Sequence, residues 1–178
     1  LVARLANNDA FTLPRYASAA AVGASGDPED ARAMGQTIGA YLKEYGFNMD
    51  FAPDADVNTN PDNPIIGSRA FSSDAGTAAA MAAAAADGLR QNGILPTLKH
   101  FPGHGDTAVD SHVGLPTVSK TVEELLTSEL IPFQSAIAGR DEGQCMLRLG
   151  LGCRGWSCIH GAMRSGPNDK AVVAREPY

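Results

Sequence analysis

Twice in its first hundred residues the chain repeats one pattern: a helical stretch, a glycine, a short apolar strand, then a long polar loop. The first round runs from Asp27-Pro-Glu-Asp30 to Tyr45, stops at Gly46, continues as Phe47–Ala52 and opens into 53–67. The second opens at Ser73 or Asp74, stops at Gly93, continues as Leu95–Leu98 and opens into Lys99–His112. A third helical stretch, Val118–Ile137, follows, and Pro132 kinks or divides it. Helices that alternate with short strands specify a parallel α/β architecture, because parallel neighbours need a crossover between them. Both loops then leave the sheet on the side of the strand carboxyl ends, where α/β proteins place their chemistry. The pattern alone does not separate a barrel from an open sheet.

The element boundaries have local causes. Asp27 caps the first helix, Pro28 suits its first turn, and Glu29 and Asp30 oppose the helix dipole. Ala31, Met34, Ile38, Tyr41, Leu42 and Tyr45 recur at helical spacing. The second helix is almost pure alanine over 78–86, which favours helix and close approach of a neighbour. Ser119 or Thr121 caps the third, with Glu123 and Glu124 in its first turn.

Composition bounds the function. A net charge of −6 argues against a nucleic-acid partner. No apolar run approaches the ~20 residues of a membrane span. Cys145, Cys153 and Cys158 make an odd count with spacings unlike a zinc site, so neither a disulfide framework nor a structural metal is expected. The chain opens Leu1-Val-Ala-Arg and carries no targeting signal, leaving cytoplasmic and secreted locations both open.

Chemistry concentrates in Lys99-His-Phe-Pro-Gly-His-Gly-Asp-Thr-Ala-Val-Asp-Ser-His112, which holds three of the four histidines on a Gly/Pro loop. Asp110 stands two residues from His112; such a pair can fix a ring tautomer and free the other nitrogen for proton transfer. Lys99 and His100 follow a strand and can donate to ligand hydroxyls. His100, His104 and His112 are also competent metal ligands, so a metal-dependent hydrolase is an alternative.

The stretch Lys99–His112 resembles the signature of family 3 glycoside hydrolases, in the branch of the β-N-acetylglucosaminidases. Phe51-Ala-Pro-Asp-Ala-Asp-Val57 resembles that family's Phe-Ala-Pro-x-x-Asp-Val. Asn63-Pro-Ile-Ile-Gly-Ser-Arg-Ala-Phe71 resembles its Ile-Gly-x-Arg-x-Phe segment, and Val2-Ala-Arg-Leu5 the end of its Gly-Gly-Arg-Val-x-Arg-Leu. The resemblance implies part of a (β/α)8 barrel and retaining removal of terminal β-linked N-acetylglucosamine, without cofactor or metal. It implies that Lys99, His100, Arg69 and Arg4 hold the sugar, that His112 is the acid/base and that Asp110 is its partner. His104 is expected to organise the loop and Asp56 to support the site from behind.

The resemblance covers residues 2–138, taken as an incomplete catalytic domain. Residues 139–178 change character and are expected to form an atypical tail. Asp141, Glu142 and Asp169 are its acids, and none stands where the family places its nucleophile, which stays unassigned. A sugar-binding fragment without turnover is the remaining alternative.

Overall fold

A computed structural model describes residues 3–107 and 120–137, together with the backbone of Met146–Leu149 and Val172–Ala174. The elements are α1 (Ala19–Gly23), α2 (Pro28–Glu44), β1 (Met49–Asp50), α3 (Ala75–Gln91) and β2 (Leu95–Phe101). They continue with α4 (Val122–Leu126), α5 (Ile131–Ile137), β3 (Met146–Leu149) and β4 (Val172–Ala174). The four strands form one sheet in the order β1-β2-β3-β4, every pair parallel. Each new strand adds on the same side of the last. That monotonic order is the one a (β/α)8 barrel uses, whereas an open doubly wound sheet reverses direction at a switch point.

The predicted caps are the caps that form. Asp27 accepts the Glu29 N–H at 3.0 Å, and Asp74 accepts that of Thr77 at 2.8 Å. Gly46 and Gly93 end their helices with φ of 82° and 72°. Thr121 and Glu124 close a reciprocal capping box at the start of α4.

Three features differ from the sequence expectation. The strand expected over 47–52 is regular only at Met49–Asp50. Pro53 lacks an N–H and interrupts the ladder. Pairing nevertheless continues beyond it, through Lys99 N–H to the Pro53 carbonyl at 3.3 Å and Ala55 N–H to the Lys99 carbonyl at 2.6 Å. The helix expected over 118–137 is two helices. Thr127 and Ser128 hydroxyls bond the Glu124 carbonyl at 2.8 and 3.0 Å, and Pro132 fits the first turn of α5 but not a helix interior. The short helix α1, capped by Ser18, has too few turns to show a period. Two further parallel strands, β3 and β4, extend the sheet from within 139–178.

Alanine lets the helical layer pack closely. Met81, Ala82, Ala85 and Ala86 of α3 are buried on successive faces, because α2 and α5 both pack against it and it covers β2. Leu98 and Phe101 of β2 reach the same core, where Phe101 meets Phe133 of α5 edge-on at 5.3 Å. Arg32 of α2 bridges to Asp87 of α3 at 3.2 Å along the rim. At the crossing itself, a Cβ on Gly88 would overlap the Arg32 carbonyl oxygen. Gly88→Val should therefore destabilise the chain by about 1–3 kcal/mol, the usual cost of overpacking. Urea unfolding measures this, and an unchanged midpoint would contradict the packing of α2 on α3.

Candidate functional site

The site is assembled where the loops after β1 and β2 meet. Asp56 is at its centre, with its side chain fully buried. One carboxylate oxygen accepts the His104 backbone N–H at 2.6 Å. The other lies 2.7 Å from His100 Nδ1 and accepts the His100 backbone N–H at 3.3 Å. The first loop thus holds the second by charge-assisted bonds made out of water.

Local chemistry builds the remaining framework. Asn63 accepts the N–H groups of Ile65 and Ile66 at 2.9 and 2.8 Å, which starts the turn of 3-10 helix Gly67–Arg69. Its side-chain amide donates to the His104 carbonyl at 2.8 Å, so one asparagine shapes its own loop and pins the other. A Cβ on Gly105 would overlap the Val57 carbonyl, so the two loops approach at a distance only glycine permits. At the far side Lys120 bridges Asp106, at 3.2 Å, and buried Glu129.

Arg69 leaves its turn with Nη1 on the Ile65 carbonyl at 3.2 Å. Its Nη2 lies 3.2 Å from His100 Nε2 and 3.4 Å from Asp54 Oδ2. These contacts define the histidine tautomer. Asp56 requires a proton on Nδ1, and a guanidinium can only donate, so Nε2 is the acceptor. Burial pushes the imidazole down to about 3, against the pull of Asp54, and His100 is neutral. Its ring was expected to donate to a ligand; in this network both ring nitrogens are engaged within the protein, Nδ1 by Asp56 and Nε2 by Arg69.

Asp54 and Asp56 are two buried carboxyls in one pocket. Burial, then the charge of Asp56, pushes Asp54 up to about 8. Burial also raises Asp56, but its bonds from Asp54 and from the His104 and His100 backbone pull it back. One proton is therefore retained at neutral pH, on Asp54.

Arg4, Asp54, Arg69 and Lys99 line a single cavity of about 590 Å³. Its other wall is apolar, from Leu5, Ile38, Tyr41, Leu42 and Phe51. A cavity of this size with polar groups gathered at one end suits a small polar ligand with an apolar face. Arg4 is exposed at the mouth, and Lys99 reaches toward Asp50, whose carboxyl burial raises against that pull. The structure thus brings three of the predicted residues, Arg4, Arg69 and Lys99, to one pocket, and joins His100 and Asp56 to it through Arg69. His104 lies behind them, buried, with Nδ1 and its carbonyl both on the Thr107 hydroxyl. Asp110 and His112 lie outside the described residues.

Asp54, Asp56 and His100 each bring one oxygen or nitrogen within 4.8 Å of the others, close enough for a cation. Holding one would break the His100–Asp56 bond and set the ion against Arg69. The expected trio of His100, His104 and His112 is not formed from the described residues: the His104 ring faces Thr107, 5.7 Å from the His100 centroid. The sequence reading gave Asp54 no role, although a carboxyl two residues before Asp56 was a visible signal. It also passed over Asn63, which matters through backbone geometry alone.

A parallel α/β sheet with buried polar groups gathered at its strand ends has the layout of part of an α/β barrel. The glycosyl hydrolase family 3 N-terminal domain matches residues 8–148, and the chain belongs to that family. It is 40% identical over 116 residues to β-hexosaminidase A of Pseudoalteromonas piscicida, covering 65% of this chain and 19% of that protein. A family 3 β-N-acetylglucosaminidase from Paenibacillus sp. str. FPU-7 superposes with a TM-score of 0.67 at 46% identity, over 71% of this chain and 24% of that one. A family 3 glycosyl hydrolase from Mycobacterium smegmatis gives 0.74 at 28% identity, over 89% and 53%. The chain spans about a fifth to a third of the curated relatives it matches. The sheet and its helices are accordingly part of a (β/α)8 barrel.

The buried network has a pH signature. Asp54 is raised from 3.8, so its contribution to stability is present below pH 3.8 and lost as pH rises through about 8. His100 is lowered from 6.5, so its contribution is present above pH 6.5 and lost as pH falls toward 3. The two slopes oppose each other between 3.8 and 6.5, and between 6.5 and 8 that of Asp54 stands alone in this pair. The urea midpoint should fall from pH 6.5 to pH 8, and Asp54→Asn should flatten that fall. A variant with the full decline would place the retained proton elsewhere.

Proposed function

We propose that this chain carries the glycone-binding half of a glycosidase site that removes terminal β-linked N-acetylglucosamine. One observation carries the reading: Arg4, Arg69 and Lys99, from three separated segments, line one cavity, and Arg69 is held there against the buried Asp56–His100 pair. Sugars present hydroxyls in a fixed ring geometry, and charged donors match them without needing a charge on the ligand. The names of the relatives, β-hexosaminidase and β-N-acetylglucosaminidase, support the same substrate class.

In this reading Lys99, Arg69 and Arg4 hold the ring, and Asp56 keeps His100 in its acceptor tautomer. His112, with Asp110 as its partner, gives a proton to the leaving-group oxygen as a carboxylate attacks the anomeric carbon. The same imidazole then takes a proton from the water that frees the sugar, so configuration is retained. A histidine suits this role because its ordinary pKa lies near neutral and its neutral form adds no second anion beside the nucleophile. The nucleophile is not assigned to a residue of this chain.

Hydrolysis of an aryl β-N-acetylglucosaminide tests the reading. His112→Ala should lower turnover by about 10²–10⁴-fold, the usual worth of general acid–base catalysis, and His104→Ala by far less. Equal losses would refute the role of His112. Sugar binding without hydrolysis by the unaltered chain would instead support a binding role for it.

A further inference from the structure

We infer that Asp50 sets the charge preference of the cavity: beside Lys99, it makes the site select a neutral sugar over an anionic one. The inference deepens the sugar-site reading above and rests on it.

The cavity is lined by the cations Arg4, Arg69 and Lys99 and by the acids Asp50 and Asp54. Left uncompensated, the cations would draw in an anionic ligand. The fold offsets them one at a time. Arg4 is exposed at the mouth, where water and salt screen it. Arg69 lies against His100, whose Nδ1 bonds Asp56, so a buried negative charge stands behind it. Lys99 remains, half-buried on β2. Asp54 does not balance it. Burial and the charge of Asp56 push that carboxyl up to about 8, so it is neutral near neutral pH.

Asp50 is placed to do so. It lies on β1, opposite Pro96 of β2, and is half-buried rather than enclosed. Burial raises its carboxyl, while attraction to Lys99 and the Phe51 backbone N–H oppose the rise. Its charge is also felt on α2, where Tyr41 is pushed up to about 12, by burial and then by Asp50. Tyr41 therefore keeps its proton and adds no second anion to the wall. Asp50 and Lys99, from adjacent strands, are thus the local charge pair of the cavity. A neutral sugar can bond the members of such a pair through hydroxyls that both donate and accept. An anion leaves water for a place whose charges already balance, and nothing offsets its desolvation. With a neutral residue at position 50, Lys99 is left unbalanced and the anion gains.

The test separates charge from shape on the 178-residue chain. N-acetylglucosamine and its C6 uronic acid, in which a carboxylate replaces the hydroxymethyl group, are titrated by calorimetry near neutral pH. The unaltered chain is compared with Asp50→Asn, Asp50→Ala and Asp50→Glu, and thermal midpoints are recorded beside each titration. The unaltered chain should bind the uronate at least about threefold more weakly than the neutral sugar. In the near-isosteric Asp50→Asn the ratio of the two affinities should move toward the uronate by about tenfold, the order expected when one unit charge several ångströms away is lost. Asp50→Glu, which keeps the charge, should hold the ratio of the unaltered chain. Should Asp50→Asn not fold, Asp50→Ala is read in its place. A ratio unchanged in the folded neutral variant, or shifted equally in Asp50→Glu, overturns the role of Asp50 and leaves the sugar site standing. So does an unaltered chain that binds the uronate at least as tightly as the neutral sugar. An unaltered chain that binds neither overturns both.

Discussion

The site depends on a carboxylate that has been taken out of water. Asp56 has no exposed side-chain surface, and isolated burial of an anion would be prohibitive. It is tolerated because the two loops offer it three N–H donors, two from the backbone and one from an imidazole. The dependence runs both ways. Without Asp56 the loop at His100–His104 loses the acceptor that holds its backbone, and without that loop Asp56 would be an unpaired buried charge. Loops that are far apart in sequence thereby share one geometry, and the ligand cavity inherits its rigidity from the anion behind it.

From that anchor the properties of the outer groups follow in order. Asp56 accepts the hydrogen bond of Nδ1–H, so Nε2 of His100 must accept, so Arg69 can lie against a histidine without repulsion. Arg69 then stands between an imidazole lone pair and a second carboxyl. Its positive charge is balanced without a complete ion pair, because Asp54 retains a proton that burial and the neighbouring anion keep in place. The surroundings of Arg69 thus carry one compensating negative charge, on Asp56, and leave the guanidinium able to turn its donors toward a ligand. A fully ionised Asp54 would draw Arg69 toward itself and away from His100.

The frame was legible in the sequence because it rests on short-range rules. Asp27, Asp74 and Thr121 cap where a side-chain oxygen can reach an orphan N–H, and Gly46 and Gly93 stop helices where φ turns positive. Arg69, Lys99 and His100 were found because motif order placed them at strand ends. The less legible parts are those decided by tertiary contact. Division of the last helix at Leu126 depends on hydroxyls of Thr127 and Ser128 that compete for the Glu124 carbonyl, as well as on Pro132. Four-residue β3 and three-residue β4 are too short to show a period, and their pairing is decided by the strand already beside them. The proton on Asp54 is least legible of all, since only the fold brings it beside Asp56.

The division of labour between the two loops accounts for the spacing of the motifs. The loop after β1 supplies charge and geometry: Asp54, Asp56, Asn63 and Arg69 all come from it. The loop after β2 supplies backbone N–H groups and imidazoles, which an anion can organise but which cannot organise themselves. Gly105 lets this second loop lie against the first, Gly103 leaves room for Glu129, and Lys120 holds the loop's far end through Asp106. A proton-transfer residue placed beyond Asp106 would then start from a loop whose near end is fixed at both the Asp56 and Lys120 anchors. The described half of the site is thus built into strand ends and buried carboxylates, where packing and hydrogen bonds fix each side chain.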